Sequence, residues 1–487
     1  MLDEATPTAS IPPLAVIVLA AGAGTRMKSR TPKVLHGFAG RSLLGHVLAA
    51  TTPLRAGRTV VVIGAGRDEV GPHLKQVAPD AVPVVQEQQR GTGHAARLAL
   101  DVLPADEQGV VLVVPGDTPL LTSGVLAELL GAHQRAGAAA TVLTSVLEDP
   151  SGYGRVIRAD DGTVRRVVEH KDATAVELAV AEVATSVYAF DHALLRDALT
   201  RVSADNSQGE EYLPDVIGIL GAAGHRIAAL IAAAELTAGC NDRVQLAAVG
   251  RAYNNRLLEQ HMLAGVTVVD PASTWLDADV ALEPDAVLEP AVELRGRTRV
   301  AGGAQVGPHT SLTDTTVGPD AQVVRTVAVG AEIGARASVG PFAYLRPGAR
   351  LAEGVHVGTY VEVKNSDIGT GSKVPHLTYV GDATIGEQSN VGAATVFVNY
   401  DGVTKHRSVV GDHVRIGSDT MIVAPREIGD GAYTGAGSVI TEDVPPGALA
   451  VARAEQHNVA RWVLRKRAGT PAAEAAERAL RDMDGDR

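Results

Sequence analysis

Apolar positions follow three rhythms along the chain. From about residue 14 to 240, short aliphatic runs alternate with segments of helical spacing. "VIVLA" (16–20), "TVVVIGAG" (59–66), "VVLVVPGD" (110–117) and "AATVLTSVL" (139–147) are nearly continuous apolar runs, the pattern of strands covered on both faces. Between them, "HAARLALDVL" (94–103) and "GVLAELLGAHQRA" (124–136) space their apolar residues as helices do. Alternating strands and helices predict an α/β domain whose mostly parallel sheet carries helices on both faces, with ligands at the carboxyl ends of the strands. "LAAGAGT" and "VPGDTP" sit at such ends.

The second rhythm covers residues 242–265. This proline-free stretch places Leu246, Val249, Tyr253, Leu257 and Leu258 on or near one helical face, and predicts a helix joining two domains. After it the period becomes six. Leu276, Leu282, Leu288, Leu294, Val300, Val306 and Leu312 are evenly spaced. Val317, Val323 and Val329 follow after a slip of one, then Ile333, Val339, Leu345, Leu351, Val357 and Val363 after a slip of two. Ile368, Val374 and Val380, then Ile385, Val391 and Phe397, then Val410, Ile416, Ile422 and Ile428 complete the series. Glycine directly follows many of them, as at Gly307, Gly358, Gly392 and Gly417. Neither helix nor isolated strand has a period of six. A parallel β-helix does, each hexad giving one inward aliphatic and one turn. Periodicity does not give its hand.

The bulk numbers narrow the function. A length of 487 residues exceeds one ordinary core. A net charge of −12 argues against nucleic-acid and membrane-surface binding, so anionic ligands need local cations and backbone amides. A lone cysteine, Cys240, forms no internal disulfide and points to a reducing compartment. The apolar run 14–21 is too short to span a bilayer, so membrane insertion is not expected.

Candidate chemistry starts at "VIVLAAGAGTRMKSRTPKVLH" (16–36). Glycines admit a ligand to backbone N–H groups, and Arg26 and Lys33 add positive charge, a combination suited to a nucleotide phosphate. The spacing matches neither GxGxxG nor GxxxxGK[ST]. "QEQQRGTGHA" (86–95) adds a second Gly/Thr turn, able to read a base edge or a phosphate. Asp117 at a strand end and Asn241 after another strand-like run are hard oxygen donors of the kind Mg²⁺ accepts beside substrate phosphates. In the hexad region, Val374 and Val380 take the inward positions, which turns His376 outward, with the cations Arg346 and Lys364 nearby in sequence.

"LAAGAGTRMKSRTPK", "QRGTGHA", "PGDTPLL", "GYGRV", "VVEHKDAT", "NSQGEEYLPD" and "HLTYVGDATIG" occur in order across about residues 14–465. Together they resemble the bacterial bifunctional N-acetylglucosamine-1-phosphate uridylyltransferase and glucosamine-1-phosphate N-acetyltransferase family. The resemblance implies a Rossmann-like nucleotidyltransferase domain (13–241), a linker helix (242–265) and a left-handed β-helix of hexapeptide repeats (266–465). A flexible tail (1–12) and a C-terminal tail (466–487), a solvated helix or disordered, flank these. It also implies synthesis of UDP-N-acetylglucosamine for cell-wall precursors in the cytoplasm, by a homotrimer whose acetyl sites are shared between chains.

On this reading Leu19, Ala20, Ala21, Gly22, Gln86, Gly91 and Thr92 hold UTP, with Pro115 and Gly116 contributing backbone. Arg26 and Lys33 neutralise phosphates, Gly154 and Glu169 bind the sugar, and Asp117 and Asn241 hold Mg²⁺. His376 is the general base of acetyl transfer. Arg346, Lys364, Tyr379 and Asn390 bind the amino-sugar phosphate. Ala393, Asn399, Tyr400, Ser418, Ala436 and Arg453 line the acetyl-CoA groove. Four positions depart from the family pattern. Ala184 and Ser186 replace the family's usual Asn, a sugar-nucleotide contact, and Gly. Glu211 stands where Tyr is common, and Ala394 where "GAGT" has its second Gly. The alternative is a nucleotidyltransferase for another sugar-1-phosphate with a regulatory β-helix. An outward base beside two cations has no purpose there.

Overall fold

The computed structural model describes residues 14–485, so the tail expected over 1–12 lies outside the described residues. The chain forms two compact units, one ending at Pro347 and the other beginning at Gly348.

The first unit opens with β1 (Ala15–Ala20), β2 (Gly37–Phe38), β3 (Arg41–Ser42), α1 (Leu43–Thr51), β4 (Arg58–Ile63), α2 (Arg67–Val77) and β5 (Val82–Val85). Then come α3 (Thr92–Leu100), β6 (Val110–Pro115), α4 (Ser123–Ala136), β7 (Ala140–Val146), β8 (Arg155–Arg158), β9 (Val164–Val168) and α5 (Ala175–Leu178). β10 (Glu182–Asp191), α6 (His192–Leu199), α7 (Asp215–Ala222) and β11 (Ile227–Ile231) complete the α/β region.

Its sheet has the order β11-β7-β10-β6-β1-β4-β5, with β8 and β9 set off β10. The main path is parallel except for β10, which runs antiparallel to both neighbours. The mostly parallel sheet expected from the alternating pattern is present. β1 shows why its sequence lacks strand alternation. Ala15 and Ile17 enter the core on one face, Val16 and Val18 the core on the other. All four are fully buried, and a Val or Ile so placed contributes roughly 1.5–3 kcal/mol. The chain leaves β1 toward β4 and β5, then returns to β6 on the opposite side. That reversal opens a crevice at the carboxyl end of β1, where the glycine-rich loop lies. β10 carries a bulge between Ala184 and Tyr188.

The linker helix is α8 (Arg243–Leu263), capped by the Asp242 side chain, which accepts from Gln245 N–H. Asn254, buried on its inner face, accepts from Leu276 N–H at 2.9 Å and donates to the Thr274 carbonyl at 2.8 Å. That polar pair fixes the helix against the first coil.

Short parallel strands, mostly two to four residues long, follow in three sheets within the first unit and again in the second. The six-residue ladder is the core. Leu288, Leu294, Val306 and Leu312 in the first unit, and Val357, Val374, Val391 and Phe397 in the second, are fully buried. Two positions depart from the expected ladder. Leu282 is only half-buried. At Val329 the inward residue is instead Ala328, flanked by exposed Val327. The slip of two is therefore two slips of one, from Val323 to Ala328 to Ile333, hidden because alanine carries little hydrophobic signal. Glycine follows the inward residue where coils approach closely. A Cβ on Gly417 would lie 2.5 Å from the Thr434 carbonyl oxygen of the next coil. The second unit closes with α9 (Trp462–Lys466) and α10 (Pro471–Gly485). Most of the described α10 side chains are exposed, and Ala473 is buried.

Candidate active sites

In the α/β region, two adjoining cavities of about 350 and 190 Å³ open at the strand ends and share Pro115, Asp117 and Ser186. The larger is lined by Leu19, Ala20, Ala21 and Gly22 from the end of β1, and by Lys33, Gln86, Gly91 and Thr92. The smaller is lined by Gly154, Glu169, Ala184 and Asn241. Gly116 lies behind this wall, its N–H on the Leu19 carbonyl at 2.9 Å, joining the ends of β6 and β1. Every residue assigned above to the nucleotide and sugar, Gly116 and Arg26 aside, lines one of these two spaces.

The charges converge. The Cys240 N–H donates to the Asp117 carbonyl at 2.9 Å, bringing Asn241 beside Asp117. The Lys33 ammonium pairs with the Asp117 carboxylate and donates to Asn241 Oδ1 at 2.9 Å. Arg26 donates to the same oxygen at 2.8 Å. Gly24, at φ 60, lets the loop close on Lys33, since a Cβ there would sit 2.4 Å from Lys33 Cβ. A carboxylate and an amide oxygen thus meet at one cation. That donor pair fits a hard divalent ion that takes its remaining oxygens from phosphate and water. Among the described residues no group of three or more His, Cys, Asp and Glu forms a cage. Burial, with the Asp117 charge, pushes the Cys240 thiol up to about 11.

The smaller cavity is acidic. Burial raises the Glu169 carboxyl, and Asp215, Asp172 and Glu210 raise it further. Tyr188 is buried, and its hydroxyl has no hydrogen-bond partner among the described residues. Ala184 occupies a buried position on the wall. Ser186 holds φ 62 at the β10 bulge, a left-handed geometry that costs a residue with a Cβ roughly 1–2 kcal/mol.

In the second unit, His376 ends the strand Lys373–His376 with its side chain exposed. Its carbonyl accepts from Ala394 N–H at 3.2 Å in the next coil. The Ala393 carbonyl accepts from Asp419 N–H at 2.7 Å, and the Ser418 carbonyl from Gly437 N–H at 2.8 Å. Arg453 flanks Gly437. His376, Ala393, Ser418, Ala436 and Arg453 therefore step along one edge of the solenoid, about 4.8 Å per coil. Tyr400 is exposed on the loop after Asn399, its hydroxyl on the Gly402 carbonyl at 2.7 Å.

Lys364 pairs with Asp382 at 2.8 Å. Asp382 also accepts from Asn365 at 2.7 Å and from Asn399, which in turn donates to the Tyr379 hydroxyl at 3.4 Å. Burial would raise the Asp382 carboxyl, but the hydrogen bonds from Asn365, Lys364 and Asn399 and the Lys364 charge hold it below its ordinary value. Asn390 lies on a separate face, paired with Lys373. Arg346 belongs to the first unit, just after the strand Tyr344–Leu345. Asp382 escaped the sequence reading. Its position after Val380-Gly381 does not single it out, because Asp412 and Asp430 also follow an aliphatic residue and a glycine.

Comparison with known proteins decides the family. Residues 16–213 match a MobA-like NTP transferase domain, and residues 407–442 a bacterial transferase hexapeptide of six repeats. A protein of Thermobifida fusca named "Bifunctional protein GlmU" is 58% identical over 98% of this chain and 99% of its own length. Namesakes from Streptomyces coelicolor (56%, over 98% and 99%) and Mycobacterium avium (54%, over 97% of each chain) are similar at the same scale. The chain belongs to the GlmU family. Membership of GlmU makes it a uridylyltransferase and an acetyltransferase in one polypeptide, and the hexapeptide match agrees with a left-handed winding of its coils. Ala184 and Ser186 line the smaller cavity, Glu211 packs against Gly91 of the larger one, and Ala394 lies on the solenoid edge beside His376.

Proposed function

We propose that residues 266–465 acetylate glucosamine-1-phosphate with acetyl-CoA and that residues 13–241 couple the product to UTP, with α8 within the linker. The overall activity, synthesis of UDP-N-acetylglucosamine by a bifunctional transferase, is that of the GlmU family. The observation that carries the assignment of the first site is the meeting of Asp117, Asn241, Lys33 and Arg26 beside the glycine loop.

In uridylyl transfer, a phosphate oxygen of the sugar-1-phosphate attacks the α-phosphorus of UTP. The new O–P bond forms as the bond to the bridging oxygen breaks, and pyrophosphate leaves. The nucleophile is already anionic, so the site needs no general base. Its work is alignment and neutralisation of charge. Leu19–Gly22, Gln86, Gly91 and Thr92 hold the nucleotide, and Gly154 and Glu169 the sugar. Arg26 and Lys33 neutralise the phosphates. Asp117 and Asn241 hold Mg²⁺, which supplies further charge neutralisation when bound.

In acetyl transfer, the sugar amine attacks the thioester carbonyl. A ring nitrogen of His376 takes the amine proton as the C–N bond forms, and the CoA thiolate departs as the C–S bond breaks. In the second unit, Lys364, Tyr379 and Asn390 hold the amino-sugar phosphate. Ala393, Asn399, Tyr400, Ser418, Ala436 and Arg453 guide acetyl-CoA. The extended edge they mark suits a long, narrow ligand. The family resemblance supports a homotrimer, with the loop 399–402 offered to a neighbour. Among the described residues no helix is long and apolar enough to cross a membrane. Together with the small-molecule substrates, that favours work in the cytoplasm.

Purified protein supplied with glucosamine-1-phosphate, acetyl-CoA, UTP and Mg²⁺ is expected to release both CoA and pyrophosphate. Without Mg²⁺, only pyrophosphate release should stop. Pyrophosphate formed only from pre-acetylated sugar would defeat the acetyltransferase assignment.

A further inference from the structure

The loop that lines the larger cavity is held from behind by one buried carboxylate. Glu211 has a side chain only 8% exposed, and it accepts from both Arg90 and Arg97, the latter at 2.8 Å. Its backbone takes part as well. The Glu211 N–H donates to the Arg90 carbonyl at 2.7 Å, and its carbonyl accepts from Gly93 N–H at 2.7 Å. Two residues on, Leu213 N–H donates to Thr92 Oγ1 at 3.0 Å. Gly91 lies between these ties at φ 108, and a Cβ on it would stand 2.4 Å from the Glu211 carbonyl oxygen.

The same loop presents the cavity residues. Gln86 is buried, and its side-chain amide donates to the Gly91 carbonyl at 3.0 Å. The carrier of Glu211 is itself a closed turn, because Asn206 Oδ1 accepts from the N–H groups of Gln208 and Glu210 at 3.1 and 3.2 Å. Ser207 N–H donates to the Asp172 carboxylate at 3.0 Å, so the turn also reaches the segment that follows Glu169. One end of this segment thus grips the loop of the larger cavity, and the other meets the acidic side of the smaller one.

We propose that Glu211 is a positioning residue for the nucleotide: its paired charges and backbone bonds hold residues 86–93 in the one conformation that presents Gln86, Gly91 and Thr92 to UTP. This rests on the reading of the larger cavity as the nucleotide site. Charge-assisted bonds to a nearly buried carboxylate are strong and directional, whereas a phenol at this position offers no negative charge to two arginines.

Steady-state kinetics of Glu211→Gln test it. KM for UTP should rise about tenfold, with kcat and the KM for N-acetylglucosamine-1-phosphate within about twofold. A role in folding alone would lower kcat through lost active protein and leave KM unmoved. Arg97→Gln should raise the UTP KM in the same direction, and the double variant should be no worse than the poorer single one, because both remove one linkage. CoA release monitors folding of the remainder. If Glu211→Gln loses that too, Arg97→Gln, at a more exposed site, decides the matter alone. Gln86→Ala separates the two readings. If it raises the UTP KM while neither Glu211→Gln nor Arg97→Gln does, the positioning role is overturned and the cavity assignment stands. If none of the three moves it, the cavity assignment falls as well.

Discussion

The α/β cleft and the solenoid edge gather functional residues in opposite ways. In the cleft, residues from nine stretches between Leu19 and Asn241 meet in two cavities that share three residues. A twisted parallel sheet brings the ends of β1, β4 and β6 together, so sequence distance says nothing about proximity. Along the solenoid edge, His376, Ala393, Ser418, Ala436 and Arg453 keep their chain order in space, each one coil beyond the last. Geometry there is nearly one-dimensional. On the proposed assignment, the cleft would concentrate charge on a small ligand segment, whereas the edge would distribute weak contacts along a long one. Damage should accordingly be sharp and catalytic at a single cleft residue, and graded along the edge except at the reacting atom.

The largest expected effect separates the two regions outright. His376→Ala should reduce CoA release by roughly 10²–10⁴-fold, the usual contribution of a general base, while pyrophosphate release from pre-acetylated sugar stays within about twofold. Asp117→Asn should do the reverse, since it removes the carboxylate that meets Lys33 and Asn241. If either variant loses both activities, the two regions are not independent centres and the comparison breaks.

Asp382→Asn comes next. The native carboxylate gathers Lys364, Asn365 and Asn399, so its loss should raise the KM for glucosamine-1-phosphate about tenfold, leave UTP kinetics unchanged, and cost about 2 kcal/mol of stability. The acid limb of thermal melting tests the charge itself. The folded carboxyl is held below its ordinary value, so this stabilisation is complete above the unfolded value near 4 and is lost as pH falls through the depressed one. The Asn variant should lack that part of the acid slope. Equal slopes in the two proteins would show that Asp382 is not ionised in the cluster.

How much of this could be read from the chain follows the same division. A local period exposes what is local. The hexads gave the solenoid core because each coil repeats one inward position, and they gave His376 its outward direction. They failed at Val329, where the small Ala328 points inward instead. They also passed over Asp382, whose partners lie 17 and 18 residues away. In the cleft, glycines and strand ends located the loop after β1 and Asp117. Nothing local reveals that Glu211 takes Arg90 and Arg97, each more than a hundred residues distant, or that Asn254 of α8 reaches Thr274 and Leu276. Such pairings come from the topology of the whole sheet and of the first coil.

Glu169 offers a test of the cleft's electrostatics. Burial first, then Asp215, Asp172 and Glu210, raise its carboxyl, so the folded protein retains a proton that the unfolded chain has released. Stability must then decline as pH rises above the unfolded value and level off above the folded one. Glu169→Gln should therefore melt at a higher temperature than the native protein at about pH 8, and at the same temperature at about pH 4, while sugar binding weakens. A native advantage at the higher pH would mean that the carboxylate is stabilised by the cleft.

The smallest effect is conformational and touches both regions. Ser186 at the β10 bulge holds φ 62, and Ala394 on the solenoid edge holds φ 60. Both are non-glycine residues in the left-handed region that glycine occupies without strain. Left-handed backbone costs a side chain with a Cβ roughly 1–2 kcal/mol, and glycine returns part of that gain through the greater freedom of its unfolded chain. Ser186→Gly and Ala394→Gly should therefore each stabilise the protein by about 0.5–1 kcal/mol. Ser186→Ala discriminates the cause, because it keeps the Cβ and removes only the hydroxyl. If backbone strain is what the serine carries, alanine gains nothing and glycine gains the full amount. If alanine and glycine rise together, the hydroxyl and not the conformation was the cost, and the likeness between the bulge and the edge would be one of sequence alone.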